Sequence, residues 1–133
     1  MIKVINKKNS PYVKGEYIGR PSILGNPYTH LKTSKFKDLI LVKTRNQSVE
    51  FYDKWLEESL KNNVDVYLEF ERLVDLYIQK SELNLICWCD PLPCHGHILR
   101  EYIFKRVKEK FQKRRLYEQE ISSFLKKWDT IRI

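Results

Sequence analysis

Hydrophobic positions change their period along the chain, and the period predicts the elements. IKVIN at 2–6 and EYIGR at 16–20 are short β-branched or aromatic runs bounded by polar, Gly and Pro residues, which predicts two strands with KKNSPYVKG turning between them. GRPSILGNPYTH, residues 19–30, holds two of the four glycines and two prolines and reads as a loop with particular backbone requirements. From about Thr44 the spacing becomes helical: Val49, Phe51, Tyr52, Trp55, Leu56 and Leu60 predict a helix near 46–61, with Thr44 or Asn46 as candidate caps. After NNVD, the stripe Val66, Tyr67, Phe70, Leu73, Val74, Tyr77 and Ile78 predicts a second helix capped by Asp65. LNLICW at 83–88 is a continuous apolar run too short for a helix and is expected to be a central strand buried on both faces. Beyond the DPLPCHG turn, Ile98, Leu99, Tyr102, Ile103, Val107 and Phe111 predict a third helix. Tyr117, Ile121, Phe124, Leu125 and Trp128 continue nearly in phase past QKRR, as one long bent helix or two.

Strand, strand, helices, strand, turn, helix is the order of an α/β domain with a small, partly parallel sheet flanked by helices. A chain of 133 residues accommodates one such domain. Residues 1–111 are expected to form an α/β ligand-pocket domain, and 112–133 a basic C-terminal helical extension of it. With 42% hydrophobic and 13% aromatic residues, the chain has the composition of a packed globular protein. MIKVINKKNS lacks a signal-like apolar run and no stretch approaches bilayer-spanning length, so a soluble, cytoplasmic protein is expected. Three cysteines crowded at 87, 89 and 94 fit free thiols or thiolate ligands better than a disulfide framework.

Charge adds a second pattern. Lys and Arg exceed Asp and Glu by ten to two over residues 1–47, fall to four against ten over 48–99, and return to eleven against five over 100–133. Positive charge segregated in this way suits a cleft or surface for nucleic acid or phosphorylated small molecules, and equally suits solvated lysine-rich helix faces.

CWCDPLPCHGH, residues 87–97, concentrates the candidate chemistry. In extended backbone Cys87 and Cys89 share one face and Trp88 takes the other, where core packing is expected of it rather than base stacking. Cys94 and His95 follow at a helix start, where unpaired N–H groups and the helix dipole favour anions and thiolates. Cys87, Cys89, Cys94 and His95 can be read as a zinc set, although Cys-x-Cys and adjacent Cys-His are awkward spacings for tetrahedral ligation. They can also be read as a ligand cradle beyond the carboxyl end of a strand, with Gly96 letting backbone approach a phosphate. Cys94 would then be a nucleophile activated by His95 or His97, or a simple contact. The third reading is a buried structural turn.

GRPSILGNP supplies complementary groups. Arg20 can hold phosphate or carboxylate in a bidentate contact, and Asn26 offers a donor and an acceptor to a polar ring or sugar. Gly19 and Gly25 permit tight turns, while Pro21 and Pro27 restrict them. GRPSILGNPY, Arg45 before the first helix, and ICWCDPLPCHGHIL together resemble the bacterial and phage family called domain of unknown function 4326, over about Tyr17 to Tyr102. The resemblance implies that Gly19, Arg20, Gly25, Asn26, Pro27, Arg45, Cys87, Cys89, Cys94, His95 and Gly96 gather into one pocket of a nucleotide-associated α/β domain. It also brings to mind phage nucleotide metabolism or the sequestering of host nucleotide signals.

The function expected is therefore binding, with or without processing, of a phosphate-bearing nucleotide or nucleotide-derived molecule. Arg20 and Arg45 would hold phosphate, Cys94 and His95 would stand at the helix start, and no cofactor would be needed. The alternative is a zinc-stabilised nucleic-acid-binding module whose basic C-terminal helix tracks phosphates. In a third arrangement that helix is an oligomerisation arm, with Phe124 and Trp128 packing on a second chain.

Overall fold

The computed structural model describes residues 1–32, 36, 38–89, 92 and 94–132, with 129–132 described by backbone alone. Its elements are β1 (Ile2–Asn6), β2 (Glu16–Tyr17), β3 (Tyr28–Thr29), β4 (Ile40–Leu41), α1 (Arg45–Asn62), α2 (Val64–Lys80), β5 (Leu83–Cys87) and α3 (His95–Arg132). Two compact units result, Met1–Ile103 and Phe104–Ile133. The first unit thus ends inside the third helix, eight residues before the expected boundary at 111.

β5 is the middle strand of a three-stranded sheet in the order β1-β5-β2, as the apolar run LNLIC predicts. Both pairings are parallel, with Ile2 opposite Leu83, Asn6 opposite Cys87 and Tyr17 opposite Ile86. The sheet was expected to be partly parallel; among the described residues every strand pairing is parallel, including β3 with β4. Because all three strands run the same way, the chain leaves β2 and β5 at one edge, and the two candidate motifs emerge there side by side. EYIGR shortens to a two-residue strand because the chain turns at Gly19, although Ile18 N–H still reaches Ile86 O at 3.0 Å. The small β3–β4 pair is a finding that the loop-like composition of 19–30 concealed.

Leu83, Leu85 and Cys87 are buried and alternate with half-buried Asn84 and Ile86, so the strand is not equally enclosed on its two faces. α1 starts at Arg45 because the Thr44 hydroxyl accepts from Gln47 N–H at 3.1 Å while the Gln47 amide oxygen accepts from Lys43 N–H at 2.7 Å, a variant of the capping box. For α2 the cap is Asn63, which accepts from Val66 N–H at 3.2 Å; Asp65, expected as the cap, instead lies in the first turn, where the helix dipole favours it. Ser81, left-handed at φ 59°, ends α2.

The expected stripe of α2 is buried at Val66, Phe70, Leu73 and Val74. In α1 the buried residues are Ser48, Tyr52, Leu56 and Ser59, so two serines take places that periodicity gave to larger apolar neighbours. The third helix is continuous past QKRR. In the second unit Phe124 and Trp128 are 63% and 49% exposed, as part of a helix that is largely solvent-facing.

Tyr52 joins this core to the site. Its ring is fully buried, and its hydroxyl donates to Leu24 O at 2.7 Å, pinning the middle of the GRPSILGNP loop to α1. Tyr52→Phe leaves that carbonyl without its partner, which is expected to cost about 1–2 kcal/mol. A fall in the urea midpoint at unchanged slope would show it; an unmoved midpoint would show that the loop is held without this bond.

Candidate functional site

The GRPSILGNP loop is stitched together by its own polar groups. Tyr17 folds its ring over Gly19, where a Cβ would stand 2.5 Å from the phenol oxygen, so a side chain there would displace the Tyr17 ring. The Tyr17 hydroxyl donates to Arg20 O at 2.6 Å and accepts from Trp88 Nε1 at 3.1 Å, which ties this loop to the residue after β5. At Gly25 a Cβ would crowd Ser22 O and Gly19 O at 3.0 and 3.2 Å.

Arg20 does internal work first. Its Nε donates to Asn26 O at 2.8 Å and one terminal nitrogen to Tyr28 O at 2.6 Å, two of the five N–H donors of a guanidinium. Half-burial lowers its pKa, with nearby Cys89 and Tyr17 opposing the shift. Asn26 is used wholly inside the protein: Oδ1 accepts from Tyr28 N–H at 2.9 Å and Nδ2 donates to Ser48 Oγ at 2.8 Å. Ser48 Oγ in turn donates to Tyr28 O at 2.9 Å. Asn26, expected to contact a ligand ring or sugar, locks the loop onto α1 and also lines the cleft.

The second wall forms where β5 ends and α3 begins. Cys94 precedes α3, its sulfur accepting from Gly96 N–H at 3.4 Å and its carbonyl from His97 N–H at 3.1 Å, so it acts as an N-cap. His95 Nε2 lies 2.7 Å from Ile18 O. A carbonyl can only accept, so Nε2 carries the proton, and in the neutral ring Nδ1 turns a lone pair towards Cys94 Sγ at 3.5 Å. Burial lowers the His95 pKa to about 4, partly opposed by the Ile18 bond and reinforced by Arg20. His95 is thus neutral at physiological pH.

The three thiols are free and unequal. Cys89 is lowered to about 6, first because Cys94 donates a hydrogen bond to its sulfur, then because Arg45 donates another and both Arg45 and Arg20 bring positive charge, against the effect of burial. Cys94 is raised, by its hydrogen bonds to Cys87 and Cys89 and by burial, and keeps its proton. The sequence offered Cys94 as a nucleophile or a simple contact; its surroundings push that thiol towards the protonated form and favour the thiolate at Cys89. Cys87 is 1% exposed and belongs to the sheet.

Between the walls lies a cleft of about 320 Å³ at the carboxyl ends of β2 and β5. Of the candidate residues it brings together Gly19, Arg20, Asn26, Arg45, Cys89, Cys94 and His95. Gly25, Pro27, Cys87 and Gly96 do not line it. Pro27 instead offers its carbonyl to Ile40 N–H at 2.8 Å, joining β3 to β4. A Cβ on Gly96 would stand 3.0 Å from both Ile18 Cδ1 and Val4 Cγ1, so this glycine lets α3 pack closely on the sheet rather than letting a phosphate approach.

Sequence reasoning missed the aromatic lining. Trp88, expected in the core, is 54% exposed and lines the cleft with Tyr17, and the Lys7 ammonium lies 5.7 and 5.6 Å from their ring centroids. The alternation that puts Trp88 opposite its flanking cysteines was a usable signal, but it does not tell whether that face is covered. His30, at the end of GRPSILGNPYTH, also lines it, as do Phe36 and Val49, which no motif announces.

His95, with Nε2–H on Ile18 O and the Nδ1 lone pair turned to Cys94 Sγ, has an orientation that a metal-ligating imidazole also adopts, so the histidine does not decide the zinc reading. Among the described residues no group of three or more His, Cys, Asp and Glu side chains is arranged to hold a metal ion. No described helix is long and apolar enough to cross a membrane. The family model described as domain of unknown function DUF4326 matches residues 3–105, beginning in β1 and ending near the close of the first unit. No curated protein and no solved structure matches the chain.

A neutral buried His95 makes acid stability testable. Its folded pKa of about 4 lies below the ordinary 6.5, so the unfolded chain binds the proton more tightly. The associated stability is complete above pH 6.5 and is lost as pH falls towards 4, about 3 kcal/mol in all. His95→Gln, which can still donate to Ile18 O, is expected to flatten this part of the denaturation profile. Parallel wild-type and variant profiles between pH 6.5 and 4 would contradict the assignment.

Proposed function

The chain belongs to the domain-of-unknown-function family DUF4326, and for this member we propose that the cleft binds a phosphate-bearing nucleotide or nucleotide-derived small molecule. The observation that carries the reading is convergence: Arg20, Arg45 and the first residues of α1 and α3 border one cleft, beside the exposed face of Trp88. Guanidinium groups and helix N-termini both favour phosphate oxygens, and their position beyond the carboxyl ends of parallel strands is where open α/β sheets bind small ligands.

Charge and size agree with this. No Asp or Glu is among the described lining residues, and two guanidinium groups against the Cys89 thiolate leave the cleft positive. Its volume of about 320 Å³ suits a small molecule, held flat on Trp88 and Tyr17 at one end and by its phosphate at the other. Binding of this kind serves a phage protein that withdraws a host nucleotide signal as well as one that acts in nucleotide metabolism; sequestration requires nothing beyond the affinity.

Arg45 provides the cleaner test of the two arginines, because Arg20 also braces the loop and its removal would disturb the wall itself. Titration calorimetry against a panel of nucleoside mono- and diphosphates, with the parent nucleosides as controls, should find binding that requires phosphate. Arg45→Ala should weaken it at least about tenfold, or about 1.4 kcal/mol, with little change in melting temperature. Nucleosides binding as well as nucleotides, or an unaltered affinity in Arg45→Ala, would count against the reading.

A further inference from the structure

We propose that the second unit is a self-association arm, in which the exposed stripe Tyr117, Ile121, Phe124 and Trp128 of α3 packs antiparallel on the same stripe of a second copy of the chain. These residues are spaced by four, three and four, the seam of a heptad repeat, so they share one face of the helix. Tyr117 is 64% exposed, Ile121 41%, Phe124 63% and Trp128 49%, with Leu125 beside them at 52%. Large apolar side chains gathered on one helix face and left in water mark an interaction surface. The helix already runs through them without a break, so docking has no new backbone to order.

The charges along the stripe select its occupant. With the apolar residues at heptad positions a and d, Glu118 falls at e and Glu120 and Lys127 at g, the positions that face a partner helix. Glu118 is paired within the helix to Arg114 at 3.1 Å, while Glu120 and Lys127 border one shallow groove together with Phe124. Carboxylates on both edges of the stripe oppose an anionic lipid surface, where an interfacial helix carries Lys and Arg. A second copy meets them instead. When Ile121 stands opposite Phe124 of the second copy, Tyr117 stands opposite its Trp128, and each Glu120 lies beside the Lys127 of the other chain.

The direction of pairing follows from the basic run upstream. Residues 104–115 carry seven Lys and Arg against Glu109 alone. Parallel helices would set the two runs side by side, about 10 Å apart. Antiparallel helices centred between Ser122 and Ser123 keep them at least about 22 Å apart at a rise of about 1.5 Å per residue, two screening lengths at 0.1 M salt. Area sets the strength. At about 150–250 Å² for a whole aromatic side chain, the exposed parts of Tyr117, Phe124 and Trp128 offer about 300 Å², and Ile121 and Leu125 add less than that. Two copies with their flanking charges reach the lower end of the roughly 1,200–2,000 Å² that specific interfaces bury, which places the association in the micromolar range. This inference does not rest on the nucleotide reading, and its test contains no nucleotide, so either can fail without the other.

Sedimentation equilibrium of the full-length chain, kept reduced and at about 0.15 M salt, is expected to show monomer and dimer exchanging between about 1 and 100 µM. Phe124→Ser should weaken the dimer at least about tenfold, while the helical circular dichroism and melting temperature of the dilute chain stay unchanged. Glu120→Lys and Lys127→Glu should each weaken it at least about fivefold, since each turns two attractions into two repulsions. Mixed one to one, these two variants should associate as tightly as the wild type, because each chain supplies the charge the other has lost. A chain that stays monomeric at the highest concentration, a dimer indifferent to Phe124→Ser, or a mixture no tighter than either charge variant alone would overturn the proposal. So would a chain that is monomeric in solution and sediments with phosphatidylserine vesicles. The charge variants and their mixture decide it even where Phe124→Ser fails to fold.

Discussion

The hydrogen bond from His95 Nε2 to Ile18 O is the seam on which the site depends. Ile18 immediately precedes Gly19 and Arg20, and His95 immediately follows Cys94, so one buried bond aligns two stretches separated by 77 residues. It satisfies a carbonyl at the end of the sheet, fixes which imidazole nitrogen carries the proton, and sets the start of α3 against β2. Gly96 permits the approach, because a side chain there would meet Val4 and Ile18. Tyr52, packed edge-on to the His95 ring at 5.0 Å and bonded to Leu24 O, closes the same junction from the side of α1.

On that junction the polar residues divide into those that build the cleft and those that face its contents. Arg20, Asn26 and Ser48 form a network that satisfies the carbonyls of Asn26 and Tyr28 and the N–H of Tyr28. A loop with two prolines lacks two backbone donors, and its buried carbonyls must find partners elsewhere. The guanidinium of Arg20 therefore supports the wall while lending it positive charge. Arg45, at the first position of α1, is bound less tightly into the scaffold and faces Cys89. Both guanidinium groups and Cys89 line the same cleft.

Much of this was legible in the residues. The helical stripes from Val49 and Val66, the central strand LNLIC, and the meeting of GRPSILGNP, Arg45 and the cysteine-rich turn all followed from period, punctuation and resemblance. What could not be read was the assignment of roles within the motifs. Asn26 and Gly96 carry the residue types of a ligand site, yet one satisfies the backbone and the other relieves packing. Trp88 has the composition of core but stands at the cleft, because residues just beyond a short strand have no neighbouring strand or helix to cover them. Cys94 stands at a helix start, which lowers a thiol pKa, yet the neighbouring sulfurs of Cys87 and Cys89 and its burial act more strongly.

By itself the sequence determined the elements and the list of residues able to do chemistry, since local period, caps and turn residues act over a few positions of chain. Only the tertiary structure decided which thiols are buried, which arginine is tied into the loop and which glycine serves packing. Those properties depend on proton donors, charges and van der Waals neighbours brought together from β2, α1, β5 and α3. CWCDPLPCHGH carries three thiols and two imidazoles on paper; folding gives them different neighbours.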